Sequence, residues 1–365
     1  MSNTQAAFQP PFCPNRSCET HLKGASFACK RAGWYQRRRP PLRVQRYRCR
    51  VCGVFFSRQS FATGYWLKRP DLIEDVFLLS LSCSSFRQIA RKLEVSHSTI
   101  ARLAARIGRH CLLFNEKHRP DPLPPGALVM DGFRSFELSE YYPCDFNLVV
   151  GADDRFLHAV NEAELRRSGS MRPDQKRRRE KLERLHGKPD PRATEKAVAE
   201  ILAEVVPPGA EVTILSDEHR AYPLAMKRLP DRSFRHLTVS SKRPRTPDNP
   251  LDPVNDADRF IRHSQANHER ETIAFSKRRQ SALERLWCLM TFKNYVKGVN
   301  EAKGTATPAQ RLGIFDRKLS VSEVLKQRLF PDRIGLSEMQ RRFYERRVST
   351  RALPAERRHE LQYAY

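Results

Sequence analysis

The period of the apolar positions changes along the chain and predicts a helical segment followed by a mixed sheet. Between residues 86 and 107, apolar side chains recur every three or four positions, with Ile89 and Leu93 on one face and Ile100, Leu103 and Ile107 on the next. After residue 126 the apolar runs are short and rich in β-branched residues, which is typical of buried strands. The predicted strands are Ala127–Phe133, Asn147–Ala152, Arg155–Val160, Glu211–Ser216 and Phe234–Ser240, and the predicted helix between them is Thr194–Leu202. Three strands, a helix, a strand, a helix and a strand are compatible with a mixed α/β sheet.

The two helical segments between residues 86 and 107 have the spacing of a helix-turn-helix. Glu94-Val95-Ser96 forms a tight turn, Ser96 is placed to cap the second helix, and the small Ala90 lies where the helices cross. Glu94 stands where a turn glycine is common, so the turn must find another conformation. The side chains expected to face the DNA major groove are His97, Ser98, Thr99, Arg102 and Arg106. An αα-hairpin without a DNA role remains the alternative.

Four cysteines near the N-terminus have the spacing of a structural zinc site. Cys13 and Cys18 form a Cys-x4-Cys pair, and after a 30-residue spacer Cys49 and Cys52 form a Cys-x2-Cys pair followed by Gly53. Zinc binds four thiolates tetrahedrally, and the glycine lets the second turn adopt a positive φ. We therefore predict one structural Zn²⁺ in a zinc ribbon. His21 or Cys29 is the alternative fourth ligand.

The charge of the chain points to nucleic acid. Lys and Arg number 67 against 41 Asp and Glu, a net charge of +26, as expected for a protein that neutralises phosphates. Residues 1–125 alone hold 22 basic against 7 acidic side chains. The chain has no run of 18 apolar residues and no N-terminal signal pattern, so we expect a soluble, cytoplasmic, nucleoid-associated protein.

Three acidic residues after position 125 are candidates for metal-dependent chemistry. Asp131 and Asp217 lie at the ends of apolar runs, where a sheet holds a carboxylate while it faces a cleft. Glu284 lies at the margin of an apolar helical stripe. Converging carboxylates bind Mg²⁺ or Mn²⁺ through oxygen. The segments Arg166–Arg192, which is strongly basic, and Lys242–Asp258, which is proline-rich, are expected to be an insertion and an exposed loop.

The order of these motifs resembles a bacterial insertion-sequence DDE transposase with an N-terminal zinc ribbon. The segments that carry the resemblance are the cysteine pairs, the helix-turn-helix, Met130–Glu137, Leu215–Tyr222, Ala282–Trp287, and the C-terminal Thr307–Ala309, Gly313–Ile314 and Leu319–Val321. It implies a multidomain α/β protein whose catalytic domain is RNase H-like, with Asp131, Asp217 and Glu284 as the triad that holds two Mg²⁺ or Mn²⁺ ions. Glu218 and Glu271 remain alternatives to Glu284. The expected regions are a zinc ribbon at 10–60, a helix-turn-helix domain at 70–118, a catalytic domain at 126–300 with a basic insertion at 162–192, and a helical C-terminal tail at 301–365.

The resemblance implies cleavage at transposon ends and joining of the freed 3′-hydroxyl to target DNA. The partners would be double-stranded DNA and further copies of the chain, because such enzymes act as oligomers on DNA. Phosphate contacts that position the duplex are expected from Arg37, Arg38, Arg39, Arg43 and Arg46. Two alternatives stay open: a DNA-binding regulator or domesticated derivative without cleavage, and a metal-dependent nuclease that only hydrolyses DNA.

Overall fold

The computed structural model describes residues 8–22, 24–38 and 40–355. These residues form two sheets and eleven α-helices, in a mixed α/β arrangement. None of the described helices is long and apolar enough to span a lipid bilayer.

The N-terminal sheet is a three-stranded antiparallel meander. Its strands are β1 (Cys29–Gln36), β2 (Arg43–Cys49) and β3 (Phe55–Ser57). Its aromatic core includes Phe12 and Phe61, and Phe330 from the C-terminal part of the chain completes it. The small N-terminal sheet is therefore fixed to the rest of the protein through its core.

The helical segment that follows contains α1 (Ile73–Ser80), α2 (Phe86–Lys92) and α3 (His97–Lys117). The predicted cap is confirmed, since the Ser96 side chain accepts a hydrogen bond from the Thr99 backbone N–H at 3.2 Å. Glu94 has a φ of 52°, so the turn without glycine uses the left-handed conformation.

The central sheet contains the strands β4 (Leu128–Phe136), β5 (Pro143–Gly151), β6 (Leu157–Glu164), β7 (Glu211–Ser216) and β8 (Ser233–Thr238). Their order in the sheet is β6-β5-β4-β7-β8. The pairs β6–β5 and β5–β4 are antiparallel, whereas β4–β7 and β7–β8 are parallel. The order of strands and helices agrees with the mixed sheet predicted from the apolar runs.

Helices cover both faces of the central sheet. The helices after β6 are α4 (Pro173–His186), α5 (Ala193–Val205), α6 (Ala221–Met226), α7 (Asp252–Ser264), α8 (Arg279–Thr291), α9 (Pro308–Arg311), α10 (Val321–Val324) and α11 (Glu338–Tyr344). One apolar cluster joins α5 and α6 to the sheet, and a larger one joins the opposite face to α3, α7 and α8. In the basic insertion, α4 has no buried residue, and only one of its sides, with Arg179, Leu182 and Glu183, is partly covered by the rest of the protein.

The predicted loop over residues 242–258 is wrong in its second half. The helix α7 begins at Asp252 and buries Val254 and Ala257. Pro253 does not prevent this helix, because a proline in the first turn removes an N–H that has no partner within the helix. The spacing of Val254, Ala257 and Ile261 is the helical signal that the surrounding prolines obscured.

The helix α3 is longer than the predicted recognition helix, and its later half packs against α8. Gly108 allows this close crossing, since a Cβ there would lie within 3.0 Å of the backbone of Glu284. Residues of α1, α2 and α3 belong to the same apolar cluster as β4 and α8. The domain limits expected from the sequence stay a prediction. The apolar core nevertheless includes residues on both sides of the expected boundary at 118–126.

Candidate active site and metal centre

Asp131 and Asp217 lie side by side on adjacent parallel strands. Leu128 pairs with Ile214 and Val129 with Leu215, so the same register continued by two residues brings Asp131 level with Asp217. Asp217 is the first residue after β7, and its Oδ1 accepts a hydrogen bond from the His219 backbone N–H at 2.9 Å. The sheet therefore brings these two predicted residues together.

A third carboxylate, Asp258, lies on α7, the helix that packs against β4. Val129 and Phe133, two positions either side of Asp131, belong to the core on the face that α7 covers, so Asp131 points toward that face. Asp258 is near enough for its charge to act on Asp131. Sequence reasoning missed this residue because it assigned the segment to a loop.

The electrostatics of Asp131 favour a cation. Burial is the largest cause that raises its pKa, and the negative charges of Asp217 and Asp258 act in the same direction. The Gly132 amide and the Arg245 guanidinium lower the pKa, and the net value is about 6. The Gly132 N–H donates to Asp131 Oδ1 at 2.7 Å. A carboxylate whose ionisation is opposed by neighbouring carboxylates gains from a positive ion placed between them.

The structure does not bring Glu284 to this group. Its side chain is 2% exposed, and its Oε1 lies 3.0 Å from Arg346 Nε and accepts a hydrogen bond from Gln280 Nε2 at 3.2 Å. The positive charge of Arg109 also acts on this carboxylate, as its effect on the Arg109 guanidinium shows. Glu284 is thus a buried carboxylate at the α3–α8 crossing, and its charge is compensated by arginines. It is buried because protein surrounds α8 on nearly every side.

The two alternatives to Glu284 are both exposed. Glu218 directly follows Asp217, and its Oε2 accepts from the Ser241 backbone N–H at 3.4 Å. Glu271 lies in the loop that precedes α8 and has a φ of 56°. The acidic side chains with the largest effect on the pKa of Asp131 are instead Asp217 and Asp258.

The four predicted zinc ligands come together as a cluster. The Sγ atoms of Cys13, Cys18, Cys49 and Cys52 all lie within 4.8 Å of one another, which fits a metal such as zinc bound by four thiolates. Within the described ranges, no three carboxylates meet the same limit. The donor sets thus differ: four soft sulfur atoms are gathered near the N-terminus, whereas the hard oxygen donors Asp131 and Asp217 of the central sheet and Asp258 of α7 do not form so close a cluster.

The turn after Cys49 stabilises its thiolate. Burial raises the pKa of Cys49, but hydrogen bonds from the backbone amides of Cys52 and Val51, and contacts with other side chains, outweigh this and lower the pKa to about 7. Gly53 has a φ of 71°, as predicted for this turn. Thiolates are the form that zinc binds.

His21 and Cys29 lie outside the cluster of four. The buried His21 Nδ1 is 2.7 Å from the Cys13 carbonyl oxygen, so this histidine braces the loop that holds Cys13. Cys29 is partly exposed at the start of β1. Both remain outside the ligand set that the structure brings together.

The predicted DNA-reading face of α3 is exposed except at one position. His97, Ser98 and Arg102 are exposed and Thr99 is partly so. Arg106 is 4% exposed, and its guanidinium donates to the Tyr65 carbonyl oxygen at 2.5 Å. The expectation that Arg106 faces DNA is therefore wrong, because α3 enters the core by that turn.

The predicted phosphate contacts lie on the β1–β2 hairpin. Arg38, Arg43 and Arg46 are exposed and Arg37 is partly so, whereas Arg39 lies outside the described residues. Exposed aromatic rings accompany two of them: the Arg43 guanidinium lies 4.8 Å from the Trp34 ring centroid, and that of Arg46 lies 4.8 Å from the Phe55 centroid. The hairpin thus presents basic side chains to solvent.

Comparison with known proteins adds little to this geometry. No family model matches the sequence, and no curated protein matches it. A cryo-EM structure of the simian T-cell lymphotropic virus intasome in complex with PP2A regulatory subunit B56 gamma is similar over 53% of this chain and 57% of that chain. The identity is 12% and the TM-score is 0.23. So low a score supports no conclusion about fold or function.

Proposed function

We propose that the chain is a DNA transposase of the DDE type, which cuts and joins DNA at Asp131, Asp217 and Asp258. The observation that carries the proposal is the side-by-side register of Asp131 on β4 and Asp217 directly after β7. Asp258 lies on α7, which packs against β4, and its charge acts on Asp131. Asp258 replaces Glu284 in the predicted triad. The net charge of +26 supports DNA as the substrate.

Asp131, Asp217 and Asp258 would together supply the oxygen ligands that hold two divalent cations. Bound there, Mg²⁺ or Mn²⁺ would activate the attacking oxygen and stabilise the leaving oxygen of the phosphodiester. The strands fix two of the donors and a buried helix fixes the third, which keeps their separation defined.

The N-terminal region would bind the ends of the mobile element. The cysteine cluster, holding one Zn²⁺, keeps the β1–β2 hairpin in place, and the exposed residues at the start of α3 read base edges. Replacing Cys49 by Ser should release the zinc, since binding supplies folding free energy to a domain with a small core. Normal end binding by a protein that contains no zinc would contradict this role.

A plasmid that carries the reading frame with its flanking DNA, incubated with purified protein and Mg²⁺, tests the reaction. We expect cuts at the ends of the element and joining to a second plasmid, and neither product with Asp131→Asn. Nicks without joined products would identify a nuclease. End binding without any cut would identify a regulator, whatever the metal.

One observation favours the regulator as second candidate. Asp258 Oδ1 lies 2.9 Å from Arg262 Nε on the next turn of α7, and this ion pair competes with a cation for the carboxylate. Arg262→Gln should therefore strengthen divalent-cation binding if the site is catalytic. A variant that binds no cation at all would favour the regulator.

A further inference from the structure

A deep groove of about 1030 Å³ separates the helix-turn-helix from the loop that joins α7 to α8. One wall contains residues of α2 and the start of α3, including His97 and Ala101. The other wall is the segment 266–278, which we call the groove loop. The volume lies at the upper limit of small-molecule sites, and the groove is open, so it suits a larger ligand.

The groove is cationic. Six Lys and Arg side chains line it against two Glu side chains. Four of the six, Arg87, Arg91, Arg270 and Lys277, are exposed and make no ion pair within the described part of the chain. They stand on both walls, two on α2 and two on the groove loop. Basic side chains without acidic partners on two facing walls match the phosphate chains of a nucleic acid.

The groove loop holds an apolar side chain out in solvent. Ile273 is 97% exposed, although the residues on either side of it are fixed. The Thr272 hydroxyl donates to the Ala266 carbonyl oxygen at 2.6 Å, and the Ala274 N–H donates to the same hydroxyl at 2.9 Å. The tip of the groove loop is thus a hydrogen-bonded turn that exposes the Ile273 side chain to a ligand bound in the groove.

The groove loop is also attached to the strand that carries Asp131. The Leu138 N–H donates to the Ser276 carbonyl oxygen at 3.2 Å, and the Phe275 ring centroid lies 5.1 Å from that of Phe136. Phe136 ends β4, five residues or roughly 17 Å after Asp131. The groove therefore lies between the start of α3 and a loop attached to the end of β4, the strand that carries Asp131.

We propose that this groove binds duplex DNA between the helix-turn-helix and the acidic site, and that Ile273 inserts into the base stack. The identity of the ligand rests on the proposed function. Apolar side chains inserted at a base step unstack it and bend the duplex, and the bend brings more phosphate against basic walls. Local unstacking near the acidic site would make a phosphodiester more accessible to it.

The first test removes the charges of the groove loop. Affinity for a mixed-sequence 40-bp duplex is measured between 50 and 200 mM salt without added divalent cation, for the full chain and for Arg270→Ala/Lys277→Ala. Two lost phosphate contacts should reduce the salt-dependent loss of affinity across this range by roughly tenfold. Lys303→Ala/Lys326→Ala, which removes two exposed charges outside the groove, is the control. Equal effects of both double variants would overturn DNA binding in the groove.

The second test measures unstacking with permanganate, which oxidises thymines that have left the stack. We expect raised thymine reactivity in the complex with the parent protein and its loss with Ile273→Ser. Leu185→Ser is the control, since Leu185 is 64% exposed on α4 outside the groove. Ile273 is almost fully exposed among the described residues, so its replacement should leave the fold intact. The proposal that Ile273 inserts into the base stack would be overturned if Ile273→Ser left thymine reactivity unchanged. It would also be overturned if the substitution changed the oligomeric state of the protein and not the thymine reactivity.

Neither test requires cleavage. If the protein binds and unstacks DNA but never cuts it, the groove proposal stands and the catalytic proposal is wrong. If the protein cuts DNA but the groove variants bind and unstack it as the control variants do, the catalytic proposal stands and the groove proposal is wrong.

Discussion

Two regions of the protein surround a carboxylate with charge, and they do so in opposite ways. At the end of β7, Asp217 lies beside Asp131, and Asp258 adds a third negative charge. At the α3–α8 crossing, Glu284 lies alone against arginines, with Arg346 at 3.0 Å. One region collects negative charge at the margin of the sheet, and the other neutralises it inside the core.

Under the proposed function, this difference separates the metal-binding carboxylates from a structural one. Asp258 has a partner in Arg262, at 2.9 Å, but Asp131 and Asp217 lie side by side, and repulsion between two such charges is relieved by a ligand of the opposite sign. A buried ion pair already has its compensation, and it is sensitive mainly to the loss of a partner. The two regions should therefore respond differently to the same kind of substitution.

The largest expected contrast is in activity. Asp258→Asn keeps the shape of the side chain and should lower DNA cleavage by roughly 10³-fold or more, because two cations cannot be held close together without that charge. Cleavage per folded molecule should stay within a few-fold of the parent in Glu284→Gln. Plasmid cleavage, normalised to the folded fraction from circular dichroism, measures both. Full activity of Asp258→Asn would show that Asp258 is not the third catalytic residue.

The next contrast is in stability. Glu284→Ala should cost about 3–5 kcal/mol of unfolding free energy, since it leaves buried guanidinium charge without its partner. Denaturant unfolding of both proteins measures the loss. Asp258→Ala, at a partly exposed position, is the matched control and should cost much less. If the two variants lost similar amounts of unfolding free energy, Glu284 and Asp258 would not differ in their structural role.

A smaller effect of opposite sign is expected at Asp131. Because its pKa is about 6 in the folded protein against roughly 3.9 unfolded, its contribution to stability is complete below pH 4 and is lost as the pH rises through 6. Asp131→Asn, which keeps an oxygen for the Gly132 N–H, should therefore be about 1–3 kcal/mol more stable than the parent at pH 7 without metal. The difference should vanish near pH 4. If Asp131→Asn were less stable than the parent at pH 7, ionised Asp131 would not destabilise the folded protein as its raised pKa implies.

Local spacing was enough to predict part of this arrangement. The cysteine pairs are short-range motifs, and the structure gathers all four thiols of Cys13, Cys18, Cys49 and Cys52. The cap at Ser96 and the strands were also visible, because a cap needs one side chain and a buried strand needs only an apolar run.

The third carboxylate could not be predicted in the same way. Glu284 and Asp258 are both on amphipathic helices, and only the packing of α7 against β4 and of α8 against α3 decides which one faces Asp131. Prolines around Pro253 concealed α7 altogether. Arg106 was misplaced for a related reason, since the apolar period of α3 does not reveal where the helix enters the core.

Direct binding of Mn²⁺ is the measurement closest to the central claim, because it needs neither the ends of the element nor catalysis. Titration of the zinc-loaded protein, followed by the loss of the free Mn²⁺ resonance signal, should show binding that weakens as the pH falls through 6. Asp258→Asn should reduce the affinity by at least about tenfold, the cost of one lost charged ligand at roughly 1.4 kcal/mol or more, while Glu284→Gln should bind as the parent does. Loss of Mn²⁺ binding in Glu284→Gln with retention in Asp258→Asn would contradict the account.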